Sequence, residues 1–197
     1  MSAESNDRVA RLAAVIAEYT SGSDVSLLRS RLQEFVDATP AAALLDLIEP
    51  YRDDPEVVAP VYEKVVQAEP PNAHAIVVLA NAYWLQGRGP AVVGELAGRA
   101  MAADPSNRGA WHLWALSEGE PRQRTHRWEQ VAQRFPEDNL ALAAVADNAA
   151  AVAGAERDYE MLDLAITTFE RLRERSTEPS QREAVDGALR ALREWRF

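Results

Sequence analysis

Proline recurs along this 197-residue chain with a spacing that few folds accommodate. Pro40, Pro70, Pro105, Pro136 and Pro179 stand at intervals of 30, 35, 31 and 43 residues. Proline cannot continue a helix, and the residue before it is pushed out of helical geometry. Several of these prolines sit in turn-like segments after an apolar run: AEPPN at 68–72, ADPSN at 103–107 and RFPEDN at 134–139. Punctuation this even implies a stack of similar units rather than one irregular globule.

Between the prolines the apolar residues recur at helical spacing, and no Asn-Gly or Asp-Gly turn joins two alternating segments. The first helix is expected over 6–19, with Val9, Leu12, Ala13 and Ile16 on one face. Ser23 or Asp24 then caps a helix that runs to Ala38 with Leu28, Leu32 and Phe35 inward. Thr39 is the expected cap of a third helix with Pro40 at its first position, ending near Pro50. Asp53 or Asp54 caps the fourth, with Pro55 first and Val58, Tyr62 and Val65 inward. The fifth begins at Asn72 and ends on Gly87, and the sixth runs from Pro90 to Ala103. The seventh holds Trp111, Trp114 and Ala115, and the eighth runs from Pro121 to Phe135. The ninth covers 138–153, broken by Gly154, and the tenth 157–175. Ser180 caps a last helix with Val185, Leu189, Leu192 and Trp195 on one side. Eleven helices make five hairpins and a final helix.

Composition narrows what such an array can do. A net charge of −10 argues against general nucleic-acid binding and against anionic membrane surfaces. With no cysteine, disulfides, thiolate catalysis and cysteine-held metals are excluded. The N-terminus lacks the pattern of a secretory signal, and no apolar stretch is long enough to span a membrane. A cytoplasmic location is the default expectation. Abundant alanine, and arginine in place of lysine, point to a bacterial coding bias. Lys64, the single lysine, sits in a helical setting and reads as a solvated surface residue.

These residues resemble the tetratricopeptide repeat (TPR) family. That family packs W-x2-L-G-x2-Y in a first helix against A-x3-F in a second, followed by proline. The best match is Ile76-x2-Leu79-Ala80-x2-Tyr83, followed by Val93, Ala97, Ala100 and Pro105. Next is Trp111-x2-Trp114-Ala115 with Trp128, Val131 and Pro136. Val58-x3-Tyr62 with Val65 and Pro70 fits a second helix, as does Ala165-x3-Phe169, while Val9-x2-Leu12-Ala13-x2-Ile16 fits a degenerate first one. The family's small glycine is alanine in the three best first helices. The resemblance implies an all-α, right-handed superhelix of about five antiparallel hairpins, a single domain over 1–197. Within it, 1–39 is a degenerate N-terminal hairpin, 40–136 the best-matching repeats, 137–178 a stretched hairpin and 179–197 a capping helix. The alternative is a helical bundle without regular stacking.

Candidates for chemistry are few. Gly87-Arg88-Gly89 follows a helix and lacks the third glycine of a dinucleotide loop, so it reads as a turn. His74, His112 and His126 form no two-histidine helical pair, and no G-x-S-x-G elbow exists. Asp53-Asp54 and Glu137-Asp138 stand where acids cap helices. Arg122, Arg124, His126 and Arg127 form a basic island, readable as a dock for an acidic peptide or phosphate. The preferred reading is a solvated helix face pairing with Glu118, Glu120 and Glu129. No catalytic residue, metal or cofactor is expected.

The resemblance further implies a concave face lined by first helices. It comprises Ala43, Leu44, Leu47 and Tyr51, then Val77, Val78, Asn81, Trp84 and Leu85, then His112, Leu113 and Leu116, then Ala143, Ala144 and Asp147. Trp111, Trp114 and Trp128 fall at packing positions, whereas Trp84 lies one residue past the packing Tyr83 and turns to this face. Asn81 alone matches the polar set that family members use on chaperone tails, so that ligand is not expected. The expected function is a non-enzymatic adaptor holding a peptide or amphipathic helix of another protein. The candidate contacts are Leu47, Val77, Val78, Asn81, Trp84, Leu85, His112, Leu116 and Asp147. A homo-oligomer joined through the C-terminal helix, and a regulator with a small apolar ligand between hairpins, are the alternatives.

Overall fold

Acidic and amide caps set most of the helix starts. The structure, a computed structural model, describes residues 3–22 and 24–197. Among these residues there are eleven α-helices and no strand: α1 (Ala3–Gly22), α2 (Val25–Ala38), α3 (Ala41–Ile48), α4 (Pro55–Ala68), α5 (Ala73–Leu85), α6 (Pro90–Ala103), α7 (Arg108–Leu116), α8 (Pro121–Arg134), α9 (Asn139–Glu156), α10 (Tyr159–Arg175) and α11 (Pro179–Arg193). Asp24, Asp54, Asn72, Asp138 and Asp158 each accept a hydrogen bond from a backbone N–H in the first turn of the helix that follows. Each so satisfies a donor that the helix itself leaves unpaired. Ser23, the other candidate before α2, lies outside the described residues. Gly87 ends α5 with φ +67°. There Arg88 N–H bonds Tyr83 C=O at 3.0 Å and Gly87 N–H bonds Trp84 C=O at 3.0 Å, the two-bond closure that favours glycine.

The helices group into two compact units, Met1–Asn107 and Arg108–Phe197. In the first, α1/α2, α3/α4 and α5/α6 are hairpins, with α4 packed on α2 and α5. In the second, α7/α8 and α9/α10 are hairpins, α8 lies on α9, and α11 lies on α10. Leu28, Leu32 and Phe35 are buried as the periodicity predicts, and so are Val58, Val65, Val93, Ala97 and Ala100. Helix α9 packs against both α8 and α10, and its Ala141, Ala146, Ala149 and Ala153 are fully buried. Side chains that small let two neighbours approach its axis closely. No helix among the described residues is long and apolar enough to cross a membrane.

Several local readings differ from the structure. Thr39 does not cap α3: its hydroxyl donates back to Phe35 C=O at 2.7 Å, closing α2, and Pro40 precedes Ala41 uncapped. A 3-10 turn, Glu49–Tyr51, follows α3. Glu178, not Ser180, precedes α11, and it makes no side-chain cap bond. Gly154 does not end α9, which continues to Glu156 and closes on Arg157 in the left-handed region. Val9 faces solvent although Leu12 beside it is buried. Trp128 is buried, but Trp111 and Trp114 are half-buried, packed edge-on to each other at 5.7 Å. Lys64 is no free surface lysine: its Nζ donates to Val36 C=O (2.6 Å), Asp37 C=O (3.1 Å) and Thr39 C=O (2.8 Å).

Candidate functional site

Helix α5 is apolar over most of its circumference, and its neighbours cover only part of it. Ile76, Leu79, Ala80 and Ala82 are buried. Tyr83 turns toward α4, where its hydroxyl donates to Glu63 at 2.6 Å and Arg88 stacks on its ring at 4.0 Å. Burial, then the Glu63 bond and the Glu63 charge, push the Tyr83 phenol up to about 12. Because successive helical residues are about 100° apart, the side chain after Tyr83 points elsewhere. Trp84 is 36% exposed and Leu85 62% exposed. Asn81, one turn before Leu85, is exposed, and Val77 and Val78 are half-buried beside it. Val77, Val78, Asn81, Trp84 and Leu85 therefore form one outward stripe, as the spacing predicts.

The remaining expected contacts are placed differently. Leu44 and Leu47 are buried in the first unit, Leu47 at 8% exposure, so little of it meets a ligand. Helix α3 is only two turns long and buries this side against its neighbours, leaving Ala43 and Tyr51 half-buried. In the second unit Leu113 is buried and Leu116 is 36% exposed. His112 is half-buried and engaged: Nε2 lies 2.5 Å from Asp138 Oδ2, and the ring packs on Trp128 at 5.4 Å. Asp147 is exposed on α9 without an ion-pair partner among the described residues, and partial burial pushes its carboxyl up.

The basic island is internally matched. Arg127 pairs with Glu118 at 2.6 Å and His126 with Glu129 at 2.9 Å. The Arg122 guanidinium pairs with none of the three expected glutamates but with Glu156 (2.5 Å) and Asp158 (2.6 Å), and Arg124 donates to Asn148 Oδ1 (2.8 Å). The island is a laced helix face, and its arginines already hold acceptors.

No family profile and no curated sequence matches the chain. Solved structures do match in fold. A crystal structure of MamA aligns with TM-score 0.59 at 17% identity, over 86% of this chain and 95% of that one. Another MamA crystal structure gives 0.57 at 15% identity, over 88% and 98%. The MamA RS-1 ArsTM double mutant gives 0.56 at 12% identity, over 87% and 98%. The chain has a TPR-like fold. In its TPR-like hairpins the packing positions hold Ile76, Leu79, Ala80, Val93 and Ala97, all buried. The Lys64 cap and the His112–Asp138 pair are not legible in the sequence, because their partners lie 25–28 and 26 residues away, beyond any local pattern.

Proposed function

We infer that the protein is a non-enzymatic interaction scaffold that holds a segment of another protein on the outward stripe of α5. One observation carries this reading: Trp84 and Leu85 stand exposed beside exposed Asn81, while the opposite side of the same helix is buried. Aromatic and aliphatic anchors around one amide suit an amphipathic helix or apolar peptide, the amide giving register. Because α5 is held by its own core, little binding energy goes into ordering it.

The test is an affinity capture with wild type beside Trp84→Ala, with helicity matched by circular dichroism. A protein retained by the wild type and lost by the variant is the expected result. Equal retention would remove the stripe from consideration. Self-assembly through α11 is less well supported, because its Val185, Leu189 and Leu192 are buried against α9 and α10 within one unit.

A further inference from the structure

A cavity of about 230 Å3 lies between α8, α9 and α10, within the second unit. Buried Leu142 and Val145 of α9, and half-buried Ala132 of α8 and Leu164 of α10, supply apolar wall. Thr168 of α10 also lines it and is only 3% exposed. Its hydroxyl is exceptional in this chain. The four other buried hydroxyl residues each donate to a carbonyl three or four residues back: Thr39 to Phe35 (2.7 Å), Ser117 to Trp114 (3.0 Å), Thr125 to Pro121 (3.0 Å) and Ser176 to Leu172 (2.8 Å). Even the exposed neighbour Thr167 bonds Asp163 C=O at 2.8 Å. Thr168 has no hydrogen-bond partner among the described residues. Among those residues no buried side-chain oxygen is both sealed off and unpaired. The Thr168 hydroxyl therefore opens onto the cavity that its side chain borders.

Burying a hydroxyl without a partner costs folding free energy, whereas an aliphatic side chain in the same place adds to the core. The first unit takes the second course. Its cavity between α4, α5 and α6 is lined by Val92, Leu96 and Arg99, with the spacing of Leu164, Thr168 and Arg171. Where the first unit presents buried Leu96, the second presents the unpaired Thr168. Charge narrows the guest further. The charged residues of the lining, Glu129 and Arg171, are opposite in sign, and Glu129 also bonds His126 at 2.9 Å. The lining thus has no net charge with which to select an ion. Apolar walls with one inward hydrogen-bonding group are the makeup of a small-molecule site. An apolar cavity of about 150 Å3 takes up benzene, and this one has room for a second ring.

We propose that the cavity between α8, α9 and α10 binds a small neutral alcohol whose apolar body is one or two rings. The rings rest against Leu142, Val145 and Leu164. The ligand hydroxyl bonds Thr168 Oγ1, and as both donor and acceptor it meets either half of the threonine hydroxyl. Rigid rings lose little freedom on entry, which favours them over flexible chains in a space this small. The site is built on helices other than α5, so it stands even if the α5 stripe binds nothing.

The test is an amide NMR titration of the full chain with 2-naphthol, beside naphthalene, which lacks the hydroxyl. Expected are saturable 2-naphthol shifts in 129–136, 142–145 and 164–171. Thr168→Val keeps the side-chain shape and should bind 2-naphthol about tenfold more weakly, the effect of one hydrogen bond, while binding naphthalene as the wild type does. Ala132→Leu fills the cavity and should abolish binding of both. Because the Thr168 hydroxyl has no partner to lose, Thr168→Val should melt no lower than the wild type. Absence of shifts, or equal 2-naphthol affinity in Thr168→Val and wild type, overturns the proposal. A lowered melting temperature in Thr168→Val with unchanged binding also overturns it, because the hydroxyl would then serve the fold. So do shifts at these amides on raising protein concentration alone, which would seat a second copy there, and equally tight binding of the blocked peptide acetyl-Gly-Leu-Gly-amide, which would make the guest a peptide side chain.

Discussion

Gly154 and Trp195 are complementary in shape: a Cβ on Gly154 would lie 3.2 Å from Trp195 Cη2. Trp195 follows α11, and the α9 glycine leaves the space into which its ring packs. Glycine inside a helix normally costs about 1 kcal/mol relative to alanine, so the position is kept for room rather than for helix strength. Gly154→Ala in the wild-type background should therefore lower stability by about 1 kcal/mol, overcrowding outweighing the helix gain. In a Trp195→Ala background the same change should raise it by about 0.5–1 kcal/mol. Urea denaturation of the four proteins measures the cycle. The same sign in both backgrounds would mean that Trp195 does not set the requirement.

Lys64 acts as a remote cap of α2. Its ammonium gathers three carbonyls at the end of that helix, where the helix dipole also favours a positive charge. Lys64→Met keeps most of the stem and removes the donors. It should cost about 1–3 kcal/mol in urea denaturation, since the carbonyls lose a charged partner in a partly buried place. A stability loss below about 0.5 kcal/mol would class Lys64 with ordinary surface lysines.

What the sequence made legible was local. Asp54-Pro55, Asn72 and Gly87 mark helix ends through their immediate neighbours, and Leu28, Leu32 and Phe35 share a face by spacing alone. The α5 stripe was legible for the same reason, because Tyr83 fixes which way Trp84 turns. Leu47 was misjudged because nothing in its own helix tells that a two-turn segment is covered on that side. Gly154 looked like a helix stop because the ring that needs its space comes 41 positions later. Lys64 and His112 were opaque for the same reason: their partners arrive only with tertiary packing.

The tryptophans should rank by burial. Trp128 is 4% exposed, so Trp128→Ala should cost about 3–5 kcal/mol as a core aromatic deletion. Trp111, half-buried against Trp114 and Phe135, should cost less, and Trp84 least. Thermal or urea unfolding of the three alanine variants gives the order directly. A Trp84→Ala protein as unstable as Trp128→Ala would show that Trp84 holds the fold and is not available to a partner.

Asp138 should make stability depend on pH in the acid range. Burial pushes its carboxyl up, but the His112 bond, the Ala141 N–H and the charges of His112 and Arg108 outweigh this and hold it below its ordinary value of 3.8. A carboxyl lowered by folding stabilises the native state above its unfolded pKa, and that contribution is lost as pH falls through the folded one. Asn caps a helix about as well as Asp, so Asp138→Asn removes the charge while keeping the cap. At neutral pH the variant should be less stable by about 1–3 kcal/mol, the range for hydrogen bonds to a charged group. The gap should hold down to about pH 4 and then close as the wild-type carboxyl takes up its proton. Urea midpoints of both proteins between about pH 7 and pH 2.5 measure it. A gap that stays constant to the lowest pH would mean that the His112–Asp138 contact is steric and its charge contributes nothing.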